Sequence, residues 1–229
     1  YGAGPSGAIM AASVEQGNTA SHEFGHTLGL RHYRTMDSAL ATQEAGAAAI
    51  IPNALMATPD FGFNRELWAT GTAGSGPGTE SFQDDVAVIA NTIGYRSDDH
   101  GSVAAAATVL AADGNQYNSI GVIAELTDTD WFSFTASGET TIMVDVDEYI
   151  NNLDTELRLY QADGTTLVQT SSPAASFDAT IMEVLAPGNY LVEVRSAGEA
   201  GQQGQYRLSI ATVEVTVNET LVSVDGNNQ

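Results

Sequence analysis

Residues 22–32 of this chain, His22-Glu23-Phe24-Gly25-His26-Thr27-Leu28-Gly29-Leu30-Arg31-His32, hold three of its four histidines together with a carboxylate. On an α-helix, residues four apart share a face, so His22 and His26 can direct both imidazoles at one metal ion about 2 Å from each nitrogen. A catalytic zinc takes three protein ligands and keeps a further position for water. The third ligand is His32, brought round where Gly29 lets the backbone turn through a left-handed conformation that a Cβ would resist. Glu23 follows the first ligand and projects beside the metal. From there it can take a proton from a zinc-activated water and deliver it to a leaving amine. A ligand set kept only for structure has no use for such a base, so the pattern points to hydrolysis.

The elements that must position these groups are partly legible. Asn18, Thr19 or Ser21 can cap a helix running through His22 to its stop at Gly29. Upstream, 21 residues precede His22 and offer at most one short strand, Ala8 to Ala12. Residues 31–51 lack steady periodicity, and Gly71 to Gly78 reads as a loop. A second helix is expected from Asp84 to Thr92, with Asp84 and Asp85 favouring its N-terminus and Gly94 ending it. Near residue 100 the pattern changes period. Trp131–Phe134, Thr141–Val146, Leu157–Tyr160, Thr180–Val184, Tyr190–Val194 and Tyr206–Ile210 alternate or run apolar. Turn signals at Ala162-Asp163-Gly164 and Ala186-Pro187-Gly188-Asn189 separate them. Short strands at this spacing imply a β-sandwich of about 100 residues able to fold by itself.

Composition excludes several classes. The net charge is −22, from 29 acidic residues against 7 arginines and no lysine, so nucleic acid is not an expected partner. The absence of cysteine removes disulfides, thiolate zinc sites and a cysteine nucleophile. No apolar run approaches the roughly 18 residues of a membrane span. Acidic residues near turns, Asp128, Asp130, Asp145 and Asp147, are candidate Ca²⁺ ligands, but no EF-hand spacing is present and calcium is left unassigned. His100 has no second ligand beside it in sequence and reads as a spare, solvent-exposed side chain.

The long zinc pattern with Gly29 and His32 resembles the metzincin zinc endopeptidases. That resemblance implies one catalytic Zn²⁺ on His22, His26 and His32, Glu23 as general base, and a tight turn whose methionine underlies the metal. Met56, in Asn53-Ala54-Leu55-Met56-Ala57, is assigned to that turn over Met36, which follows His32 too closely to loop back beneath it. Residues 84–101 look like the end of such a catalytic domain. The segments Asp128-Thr129-Asp130-Trp131-Phe132-Ser133-Phe134, Asn152 to Tyr160 and Leu185-Ala186-Pro187-Gly188-Asn189-Tyr190 are similar to bacterial pre-peptidase C-terminal domains, which accompany secreted peptidases.

The expected architecture is therefore an α+β metzincin-like catalytic portion over residues 1–100, lacking most of its N-terminal subdomain, and an all-β sandwich over 109–212. Residues 101–108 are a linker and 213–229 a tail. The implied function is a secreted zinc endopeptidase acting on protein or peptide substrates, with further domains upstream and downstream in the full-length protein. Because the N-terminal edge strand that would align substrate is missing from residues 1–21, slow cleavage is expected of this segment alone. The competing expectations are a secreted binding or anchoring module with a relic zinc site, and an acidic surface-layer fragment.

Overall fold

A computed structural model describes residues 7–36, 53–56, 66–74, 78–146, 153–198 and 201–213. The chain opens with α1, Gly7–Thr27. The strand expected at Ala8–Ala12 is therefore helix, as is the stretch before the expected caps. Alanine and methionine are strong helix formers, and summed over Ala8 to Ala12 they outweigh the cost of Gly17 further along. Gly29 has φ +99° and closes the helix as expected.

After α1 comes a small three-stranded antiparallel sheet of β1 (Tyr33–Met36), β4 (Thr70–Ala73) and β5 (Ser81–Asp84), in the order β1-β4-β5. A parallel pair joins β2 (Asn53–Ala54) to β3 (Glu66–Leu67). The expected glycine loop at 71–78 thus begins as a strand: Thr70 to Ala73 pairs on both sides, with β1 and with β5. The second helix, α2 (Asp85–Ile93), forms as read. Asp84 is its N-cap, accepting from Ala87 N–H, and Gly94 ends it at φ +82°.

The rest is β. A turn of 3₁₀ helix at Ala104–Ala106 leads into β6 (Thr108–Val109), then β7 (Gln116–Ile123), β8 (Thr129–Asp145), β9 (Thr155–Gln161), β10 (Leu167–Ser171), β11 (Ala179–Ser196) and β12 (Gly204–Val213). Their order is β10-β9-β11-β8-β12-β7, with β6 beside β8. Two long strands organise this unit. Residues 129–136 of β8 and 188–195 of β11 pair with each other, with β6 flanking the former and β9 the latter. Residues 139–145 of β8 pair with β12 on the side away from β11. The ladder breaks step at Gly138, where φ is +97°, opposite Leu185. The halves on either side of that break share one core of Phe132, Phe134, Leu157, Val192, Ile142, Ile181 and Ile210, giving a sandwich-like domain.

Two expected features are corrected here. Trp131–Phe134 and Thr141–Asp145 belong to one strand, and Val146 lies just past its end. The stretch from Ala186 to Asn189 is no turn either, because Leu185 faces Gly138 and Gly188 faces Ala136, which sets two residues of β11 against one of β8. That is a β-bulge, a place where proline and glycine are tolerated inside a strand. The Asp163-Gly164 turn does form between β9 and β10, with Gly164 at φ +67°. Asp163 accepts from Thr165 N–H, Thr166 N–H and Thr166 O–H, and these bonds lower its pKa to about 2. Asp147 and the tail from 214 lie outside the described residues.

Candidate metal centre

Helix α1 carries His22 and His26 one turn apart, and Gly29 reverses the chain so that His32 returns toward them. His32 Nε2 ends 3.0 Å from His22 Nε2 and 3.0 Å from His26 Nε2. Ring centroids lie 4.7–5.0 Å apart with the rings inclined to one another, so the nitrogens converge edge-on. The second ring nitrogens of His22 and His26 are spoken for. His22 Nδ1 meets Leu55 O at 2.5 Å and His26 Nδ1 meets Leu30 O at 2.9 Å. Carbonyls only accept, so each Nδ1 carries the proton and each Nε2 presents a lone pair. Two lone pairs facing a third nitrogen at 3.0 Å are poorly served by a single proton. Around a tetrahedral zinc at about 2.0–2.1 Å, ligand nitrogens stand about 3.3 Å apart, so this donor set fits that ion, down to the backbone carbonyls that orient two of the ligands. Partial desolvation, then the neighbouring His26 and His22, lower the pKa of His32 and favour the neutral form that binds metal.

Glu23 is exposed, beside His22 in sequence, and close enough to His32 to act on it in the opposite sense. Met56 is fully buried in the turn after β2. A Cβ built at Gly25 would lie 2.7 Å from Met56 Sδ, which places the thioether against the helix next to His26. The same turn supplies Leu55 O to His22 and Met56 O to Tyr33 N–H. The structure therefore brings His22, His26, His32 and the turn of Met56 into one place.

Sequence reasoning missed the network behind His32. Asp85, placed by its sequence in the first turn of α2, is fully buried and accepts from Tyr33 O–H at 2.8 Å, Ala69 N–H at 3.0 Å and Gln83 Nε2–H at 2.9 Å. Burial raises its pKa against the opposing pull of those bonds. Gln83 also clasps the backbone of Arg31, accepting from its N–H and donating to its carbonyl, both at 2.9 Å. Residues on either side of His32 are thus tied to one buried carboxylate. The signal available in sequence was Tyr33 directly after the third histidine, with a carboxylate pair far along the chain. Tyr33→Phe removes one of the three donors, and is expected to cost about 1–3 kcal/mol. Urea unfolding checks this, and an unchanged midpoint would mean that Gln83 and Ala69 satisfy Asp85 alone.

His100 is not the spare side chain expected. Its Nδ1 lies 3.1 Å from Thr108 Oγ1, its Nε2 lies 2.8 Å from Ile120 O, and its ring packs 4.6 Å from Phe132. Strand partners that are distant in sequence gave it no visible neighbour there.

The described residues thus define a mainly β protein whose sandwich-like domain follows a helix with three convergent histidines. No helix among them is long and apolar enough to cross a membrane. No family model matches the chain, and no curated protein matches it. Among solved structures, it is similar to the pre-peptidase C-terminal domain of a collagenase from Bacillus anthracis: 17% identity and a TM-score of 0.35, covering 50% of this chain and 99% of that one. It is also similar to PliG, a periplasmic inhibitor of g-type lysozyme from Aeromonas hydrophila: 13% identity and a TM-score of 0.32, covering 45% of this chain and 95% of that one. The architecture given above rests on strand order and register.

Proposed function

We propose that this chain belongs to a secreted, zinc-dependent endopeptidase of the metzincin type, with a pre-peptidase C-terminal-like sandwich following its catalytic portion. The observation that carries the reading is the convergence of three Nε2 atoms at 3.0 Å spacing beside an exposed glutamate. His22, His26 and His32 would hold the ion. Zinc, when bound, supplies a Lewis acid and lowers the pKa of water. Glu23 takes a proton from water entering the site and returns it to the amine leaving the peptide, a role that requires a carboxylate open to substrate. Leu55 O and Leu30 O fix two rings, and the Asp85 network anchors the chain on both sides of the third. Met56 backs the helix from below. Extended substrate would lie across the open side, where Glu23 is exposed.

The test is cleavage of a denatured protein by the purified chain, with zinc counted by elemental analysis. One zinc per chain is expected, with slow cleavage that a chelator stops and zinc restores. Absence of zinc after reconstitution, or cleavage indifferent to chelation, would sink the reading. Zinc bound without cleavage would instead favour the binding-module alternative.

A further inference from the structure

Arginine is the scarce charge in this chain, 7 residues against 29 acidic ones, so a guanidinium has many carboxylates to choose from. Arg158 and Arg195 are spent in that way, on Glu156 and Glu193. Arg96 and Arg207 are not. Both are exposed, and neither guanidinium has an ion pair or hydrogen bond among the described residues. Both line one cleft of 630 Å³, where Trp68 and the chain after α2 face the end of the β7–β12 ladder. Across that ladder Asp145, Arg207 and Ile120 stand in one row, and Gln205 faces Val122 two residues along. Ile120 is 72% exposed, a large apolar side chain left in water beside a free cation. On the other face of the same strands Tyr206 is buried, its hydroxyl in the space that a Cβ at Gly121 would take. Alternation therefore puts Ile120, Val122, Gln205 and Arg207 on the floor of the cleft. Trp68 is its wall, and the same ring backs the histidine helix, 3.2 Å from a Cβ built at Gly25.

Two unmet guanidiniums in one concavity select an anion, and the planar fork of arginine matches a carboxylate. The apolar lining excludes a bare inorganic anion as the best occupant, and the net charge of −22 repels a polyanion such as nucleic acid. A single carboxylate escapes that repulsion, because charges further off than the Debye length of about 8 Å are largely screened at physiological salt. Asp99 and Asp145 also line the cleft, which disfavours a run of acidic residues but offers acceptors to the N–H groups of a peptide. We propose that this cleft binds a peptide through one carboxylate, with Arg96 and Arg207 as its charged contacts. Trp68, Ile120 and Val122 receive the apolar side chain beside that carboxylate. The carboxylate is either an acidic side chain or the end of the peptide chain, since both present the same two oxygens.

Binding here does not depend on cleavage at the histidines, and the test is built to keep the two apart. The full chain carrying Glu23→Gln, which leaves the probes uncut, is titrated by calorimetry with three peptides. The first is acetyl-Ala-Leu-Glu-Leu-Ala-amide, the second acetyl-Ala-Leu-Gln-Leu-Ala with a free terminal carboxylate, and the third the amide of the second. The first or the second is expected to bind saturably below about 1 mM, and the third at least about 10-fold more weakly. Whichever of the first two binds more tightly identifies the carboxylate as side chain or chain end. Arg96→Gln and Arg207→Gln together should weaken the tighter probe about 10–100-fold, the range for losing a charge-assisted hydrogen bond. Both residues are exposed, so the double variant should unfold at the parent's midpoint. Three results would each overturn the proposal: no saturable binding below about 1 mM, a third peptide that binds as well as the others, or a double variant that binds like the parent.

Discussion

Glu23→Gln is expected to leave zinc bound and to lower peptide cleavage by about 10²–10⁴-fold, the usual worth of a general base. The two effects separate because Glu23 is no part of the converging donor set: His22, His26 and His32 meet without it. The amide has the shape of the carboxylate and sits on an exposed helical position, so helix and histidines should stay where they are. What the amide lacks is a basic oxygen able to accept a proton from water. Because the ligand set is untouched, the loss should fall on turnover while the zinc count remains one per chain. Measuring zinc and cleavage on the same sample resolves the possibilities. Full turnover in the variant would remove Glu23 from the mechanism. Loss of zinc along with activity would make Glu23 a structural support of the site.

The helical half of the site was legible because its chemistry is local. His22, Glu23 and His26 lie within a turn and a half of helix, and Gly29 announces the reversal that His32 needs, borne out by its φ of +99°. What could not be read is the support from remote chain. Leu55 O, Gln83 and Asp85 reach the ligand loop across 33 to 52 residues of sequence, and no pattern in period or propensity encodes such a meeting. In the sandwich the strands announced themselves by alternation, yet two boundaries misled. Along β8 the residues of the shared core are even-numbered from Phe132 to Val144, while along β11 they are odd at Ala179, Ile181 and Leu185 and even at Tyr190, Val192 and Val194; Trp131, Leu191 and Glu193 are buried outside that core. That phase change, falling on proline and glycine, looks like the end of one strand and the start of another. A bulge produces the same signature, since one extra residue reverses which parity faces the core. Asp130 hid in the same way: an acidic residue before Trp131 reads as turn, although its even number puts it on the core face.

That same parity predicts which substitutions in the sandwich matter. Phe132→Ala is expected to cost about 3–5 kcal/mol, the range for emptying a buried phenylalanine site. Met182→Ala should stay within about 0.5 kcal/mol. Both are large apolar residues on long paired strands, so hydrophobicity alone would not distinguish them. Phe132 faces inward, fully buried opposite Val192, with the His100 ring against it. Met182 occupies an even position before the bulge, where the even face looks out, and is 70% exposed. Removing the Phe132 ring leaves a cavity beside the long ladder that joins β8 to β11, which limits collapse around it and argues for the upper part of the range. A loss of that size is a large fraction of the roughly 5–15 kcal/mol that stabilises a typical domain. Urea unfolding of the two variants and the parent, with equal slopes, measures the difference. Comparable losses from Phe132→Ala and Met182→Ala would mean that the even residues of β11 before the bulge are buried too, and the phase reversal at Pro187 would be wrong.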